Sequence, residues 1–105
     1  MAQFTVYKNK NPRSKATYPL LVDAQADLLE DLQTRVIIPL TKTPALTKRP
    51  IARLTPSIEI DGEQYLLMTP QLAGVARSEL GPAVGSVADQ RSAIVSAMDL
   101  LITGV

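Results

Sequence analysis

Ser57-Ile-Glu-Ile60-Asp61-Gly62-Glu63-Gln-Tyr-Leu-Leu-Met68 joins two runs of strand-forming residues through an Asp-Gly pair. Asp-Gly supplies the two positive-φ positions of a type I′ turn, whose twist matches that of adjoining antiparallel strands, so the stretch reads as a β-hairpin. Upstream, Arg35-Val-Ile-Ile-Pro-Leu40 is apolar and β-branched enough for a buried strand. Pro39 removes a ladder donor there and calls for an edge, a bulge or a sharp corner. Pro19 to Ala24 reads as a strand that begins at its proline, and Gln3 to Tyr7 alternates with period two, placing Phe4 and Val6 on one face. Residues 8–18 and 41–57 are polar or proline-rich and read as loops, the second being the longer. Asp27 to Leu32 reads as a turn with some helical character, and Thr69-Pro70 as the start of either a short helix or a strand.

The C-terminal end changes period. Ser86-Val-Ala-Asp89 has capping-box spacing, a hydroxyl followed three residues later by an acid, and predicts a helix over about Val87 to Ile102. Ile94, Val95, Met98, Leu101 and Ile102 fall on one helical face, the expected core side, and Ser92, Ser96, Asp99 and Thr103 on the other. Leu100 lies near the polar face and reads as a lone exposed leucine, a dimer contact or a partner contact. Gly104 stands where helices terminate. The fold class is mostly β with a C-terminal α-helix.

The chain has 105 residues, 46% hydrophobic and 20% charged, with a net charge of +1, which suits one domain over residues 1–105. It has no Cys and no His. That removes disulfides, thiolate and imidazole metal sites, Cys or Ser-His nucleophiles and the imidazole base. Ten carboxylates remain for acid–base work, and Asp23, Asp27, Glu30 and Asp31, from which a pair could be drawn, read as a solvated acidic turn. The expectation is a protein that is not an enzyme and uses no metal or cofactor. The N-terminus turns basic too early for a signal peptide, and no apolar run approaches the roughly 18–20 residues of a membrane span, so a soluble, cytoplasmic protein is expected.

Charge is unevenly placed: residues 1–53 hold nine Lys/Arg against four Asp/Glu, and residues 54–105 two against six. The positive charge concentrates in Lys8, Lys10, Arg13 and Lys15 and again in Lys42, Lys48, Arg49 and Arg53. These segments read either as a surface for an acidic partner or as solvated loops. Direct nucleic-acid binding is disfavoured by the small net charge and only four aromatic residues.

The order Gln3-Phe4-x-Val6-Tyr7, Val22-Asp23-x-Gln25-x-Asp27, Arg35-x-x-Ile38-Pro39-Leu40, Met68-Thr69 and a helix closing on Gly104 and an aliphatic residue resembles the CcdB family. These are toxins of type II toxin–antitoxin modules that poison DNA gyrase. The resemblance implies a homodimer with an SH3-like β-barrel, a small accessory sheet and a long C-terminal helix. It implies binding to the A subunit of gyrase through Asp99, Ile102, Thr103, Gly104 and Val105, with Leu28 and Leu29 as neighbours. It also implies a cognate CcdA-like antitoxin with an acidic segment, whose complement on this chain would be Lys8, Lys10, Arg13, Lys15, Lys48 and Arg49, and a part in operon autoregulation. The family pattern ends in Trp-Gly-Ile, whereas this chain ends Thr103-Gly104-Val105. A threonine has no π face to stack on a target arginine. A gyrase-inactive module that binds antitoxin is therefore the alternative implied. An adaptor for proline-rich ligands is disfavoured by the shortage of aromatics.

Overall fold

The structure is a computed structural model that describes residues 2–27, 32–42 and 53–104. Among them, β1 (Thr5–Asn9), β2 (Leu20–Asp23), β3 (Thr34–Lys42), β4 (Ser57–Ile60), β5 (Glu63–Leu67), β6 (Ala73–Ala76) and β7 (Leu80–Ser86) form one antiparallel sheet, followed by α1 (Arg91–Thr103). The order across the sheet is β4-β5-β3-β2-β1-β7, with β6 branching from β3. The sheet curls into a half-barrel beside the helix, the fold class expected. The β4–β5 hairpin is its accessory part, joined to the far end of β3.

The hairpin turn has φ of 51° at Asp61 and 82° at Gly62, as a type I′ turn requires. Pro39 sits at a corner. Thr34 to Ile37 of β3 pair with β6 and Leu40 to Lys42 pair with β5, so the residue without an amide proton falls where β3 changes partners. Its carbonyl accepts the Met68 amide at 2.8 Å, and β2 covers the other side of the strand, which excludes an edge. Thr69-Pro70 opens a 3-10 turn, Thr69–Gln71, with the proline in its first turn. Phe4 is buried on the same side as Val6 but precedes the strand, with φ of 71°. Its amide donates to the Asp23 carbonyl and its carbonyl accepts from Val87, so it ties both neighbours of β1 together.

All four residues of β2 are buried, because apolar side chains cover both faces of the central sheet. On one face Val6, Leu20, Val22, Ile38, Leu40, Ile58 and Leu67 pack with Ile94 and Ala97 of α1. A side chain such as Ile94 contributes roughly 1.5–3 kcal/mol on burial. On the other face Tyr7, Leu21, Ile37 and Leu80 form a second cluster, with Val75 against it.

Two expectations for the helix are corrected. Helical structure begins as a 3-10 turn over Ala88–Gln90 and becomes α only at Arg91. The capping box does not form: Ser86 Oγ accepts the Ala88 amide at 3.2 Å, while Ser86 itself still belongs to β7 and Val87 is hydrogen-bonded to Phe4. The side chain of Gln90 reaches instead to edge strand β4, donating to the Glu59 carbonyl at 2.9 Å and accepting its amide at 3.0 Å. That occupies backbone groups through which an edge strand would otherwise add a neighbour.

The second correction concerns the apolar face. Ile94 and Ala97 are buried and Val95 and Met98 half-buried, but Leu101 is 40% and Ile102 72% exposed. The last turn extends past the hydrophobic cluster it would have to cover. Leu100 is half-buried.

Candidate functional site

The protruding helix end is built by two local bonds. Gly104 adopts φ 82° and ψ 8°, and its amide donates to the Leu100 carbonyl at 3.1 Å, an αL cap that a side chain would strain. The Thr103 hydroxyl donates to the Asp99 carbonyl at 2.7 Å, one turn back. Asp99, Ile102, Thr103 and Gly104 are all exposed, so four of the residues expected to meet a target share one accessible end. Val105 lies outside the described residues, as do Leu28 and Leu29. Toward the N-terminal side, Arg91, Ser92, Val95, Ser96 and Asp99 line a shallow groove of ≈ 350 Å³. Arg53 Nε donates to Ser96 Oγ at 3.3 Å beside it, and the Arg91 guanidinium stands 5.9 Å from the centre of the Phe4 ring.

The basic segment is a separate surface. Lys8 lies on β1, and Lys10, Arg13 and Lys15 on the loop that follows; all four are exposed and none is ion-paired with a described carboxylate. The loop is more ordered than its composition suggests. Asn9 Nδ2 donates to Ser14 Oγ and to the Tyr18 carbonyl, at 3.0 and 2.9 Å, and Asn9 Oδ1 accepts the Asn11 amide. Asn11 Oδ1 in turn accepts the Arg13 amide at 2.9 Å, the local side-chain bonding that makes asparagine a turn residue. The Asn-x-Asn spacing was the available signal. Lys48 and Arg49 lie outside the described residues.

Of the acidic turn, Glu30 and Asp31 lie outside the described residues, while Asp23 and Asp27 each accept hydrogen bonds within the chain. Asp23 is fully buried, and its Oδ2 accepts both Nε and Nη2 of Arg35, at 3.0 and 2.7 Å. Its Oδ1 accepts the Gln25 amide at 3.0 Å, and Gln25 Oε1 accepts the Val36 amide at 3.0 Å. Asp27 Oδ1 accepts the Gln3 amide at 2.6 Å, and Gln3 Nε2 donates to the Ala24 carbonyl at 3.1 Å. The polar residues of the Val22-Asp23-x-Gln25-x-Asp27 motif thus bond within the chain. Among the described residues, no three His, Cys, Asp or Glu side chains converge as a metal site. No described helix is long and apolar enough to cross a membrane.

The family model for CcdB protein matches residues 3–104. Among solved structures, the chain is similar to one described as an endoribonuclease in complex with its cognate antitoxin from Mycobacterial species. The TM-score is 0.73 at 16% identity, covering 94% of this chain and 91% of that one. The likeness to that structure is one of fold.

Proposed function

The chain belongs to the CcdB protein family, and on that premise we propose that it is the toxin of a type II toxin–antitoxin module. It acts in the cytoplasm as a homodimer, binding the A subunit of DNA gyrase and trapping the enzyme on cleaved DNA, without catalysing a reaction itself. The observation that carries this reading is the exposed end of α1, where Ile102 is 72% exposed beside Asp99, Thr103 and Gly104. An apolar side chain left out of the core at a capped helix terminus is suited to burial against another protein. A cognate antitoxin with an acidic segment binds at Lys8, Lys10, Arg13 and Lys15, with Lys48 and Arg49 contributing, and the complex takes part in operon autoregulation.

One specific observation favours a second reading, an antitoxin-binding module inactive on gyrase: Thr103 stands where the family pattern has Trp, and its hydroxyl is already bonded to Asp99. The test is a DNA-cleavage assay with gyrase, ATP and supercoiled plasmid, using the full chain and a form lacking Thr103 to Val105. Linear DNA that accumulates only with the full chain supports poisoning through the helix end. No cleavage and no binding to gyrase A by a folded protein supports the second reading. A parallel incubation with RNA is expected to leave it intact, and cleavage there would overturn the non-enzymatic mechanism.

A further inference from the structure

β4 and β7 are the two end strands of the sheet, and a cleft of ≈ 470 Å³ lies between them, a size ordinary for a ligand site. The buried Val6 and Val87 form its apolar floor. Its lining carries three carboxylates, Glu59, Asp61 and Asp89, and no lysine or arginine. All three are exposed, and none is hydrogen-bonded or ion-paired through its side chain among the described residues. They do not converge as a metal site would, so spaced cations fit them better than a single ion.

The two edges that flank the cleft differ. On β4, the Gln90 side chain already occupies the Glu59 amide and carbonyl. On the opposite side, β7 pairs only with β1 among the described residues, which leaves its outer edge for another strand. Pro82 has no amide proton, so the usable edge begins after it, and Val84, Gly85 and Ser86 of that stretch line the cleft. The space is open at Gly85, where a Cβ would meet nothing within 4 Å. A strand added to a sheet edge is held by main-chain hydrogen bonds, and its alternate side chains, about 6.8 Å apart, reach the same side. Lysine or arginine at every second position would then face the carboxylates, with the aliphatic stems over the valine floor.

We propose that this cleft docks an extended, lysine- or arginine-bearing segment of a partner protein, which adds to β7 as a strand and sets its cations against Glu59, Asp61 and Asp89. An acidic segment such as the proposed antitoxin's is repelled here. Asp89 and Gln90 precede α1, whereas the proposed gyrase contact lies at its C-terminal end, so the cleft is a third surface.

The experiment titrates the full-length protein with the blocked peptide Lys-Val-Arg-Val-Lys and follows its amide shifts and amide exchange by NMR. Glu-Val-Glu-Val-Glu serves as the charge control, and Lys-Val-Arg-Val-Lys methylated on its backbone amides keeps the charge without the donors. The cationic peptide is expected to shift and protect residues 83–86, and the other two to bind far more weakly. Glu59→Gln/Asp61→Asn/Asp89→Asn should weaken binding about tenfold, as three exposed charge pairs allow, with Asn able to keep the positive φ of position 61. Gly85→Leu adds bulk to the lining at unchanged charge and should weaken it as well. Equal binding by the methylated peptide would reduce the effect to counter-ion attraction and overturn strand addition. Undiminished binding by the triple variant, or no binding at about 1 mM peptide, would overturn the site. A dimer in sedimentation that the triple variant loses would assign the cleft to a second copy of the chain and overturn the partner reading.

Discussion

Gly81 approaches Lys8 so closely that a Cβ on the glycine would lie 2.8 Å from the Lys8 carbonyl oxygen and 3.1 Å from the Lys8 Cβ. The contact falls where the pairing of β1 with β7 shifts register, between Tyr7↔Ala83 and Asn9↔Leu80. The nearest atom is backbone within a paired strand and cannot rotate away. Gly81→Ala is expected to destabilise the fold by about 1–3 kcal/mol, the usual cost of forced overpacking. Urea unfolding checks this. An unchanged midpoint would show that β7 yields without loss.

Breaking the Asp23–Arg35 pair from one side should be far more damaging than replacing both residues. Asp23→Ala or Arg35→Ala leaves a buried charge uncompensated and is expected to cost about 3–5 kcal/mol. The apolar double replacement should unfold near the parent midpoint. Chemical denaturation of Asp23→Ala, Arg35→Ala and the Asp23→Ala/Arg35→Ala double gives the coupling directly, and the apolar double Asp23→Leu/Arg35→Met gives the comparison with a packed apolar pair.

Restoring an aromatic ring at the helix end should strengthen the proposed gyrase contact. Thr103→Trp would supply a π face at an exposed position, worth about 0.5–2 kcal/mol against a target guanidinium, or up to roughly 30-fold in affinity. Binding to gyrase A by titration calorimetry is the measurement. Stability should change little, since Thr103 is exposed and the change removes its hydroxyl bond to Asp99.

Charge reversal at Lys8, Lys10, Arg13 and Lys15 should weaken binding of the proposed acidic antitoxin segment, mainly by slowing association. These side chains are exposed, so their attraction is screened by salt. The parent complex is expected to weaken as ionic strength rises, and the reversed variant to lose most of that dependence. Association rates across a salt series would show it.

Alkali should destabilise the protein through two tyrosines. Burial pushes the Tyr7 hydroxyl above its usual pKa of 10.0, with the Asp23 carboxylate adding to the effect. Burial likewise raises Tyr65, helped by Glu63, whose Oε1 accepts the Tyr65 hydroxyl proton at 3.2 Å. A raised acid pKa means the folded state keeps its proton after the unfolded chain has released one. The stability this contributes is full below about pH 10, the unfolded value, and is lost as pH rises through the folded values. Tyr7→Phe and Tyr65→Phe should each flatten that fall in denaturation midpoints measured above pH 9.5 or so.

The sequence by itself determined the elements whose causes are local. Asp61-Gly62 carries its turn type in its own dihedral preferences, the period of residues 94–102 requires a helix, and Gly104 ends it. The lack of Cys and His excludes thiolate and imidazole chemistry whatever the fold. Tertiary structure decided what depends on distant neighbours. Periodicity names the apolar side of α1 but not where the sheet beneath it stops, so Leu101 and Ile102 read as core and are exposed. The spacing of Ser86 and Asp89 allows a capping box, but strand pairing holds Ser86 in β7 and Gln90 turns to Glu59, 31 residues away. Asp23 looked like part of an acidic turn because its partner, Arg35, is 12 residues distant and meets it only when β2 and β3 pair. Local propensity acts through bonds along the chain, whereas burial and charge pairing are set by which segments the fold brings together.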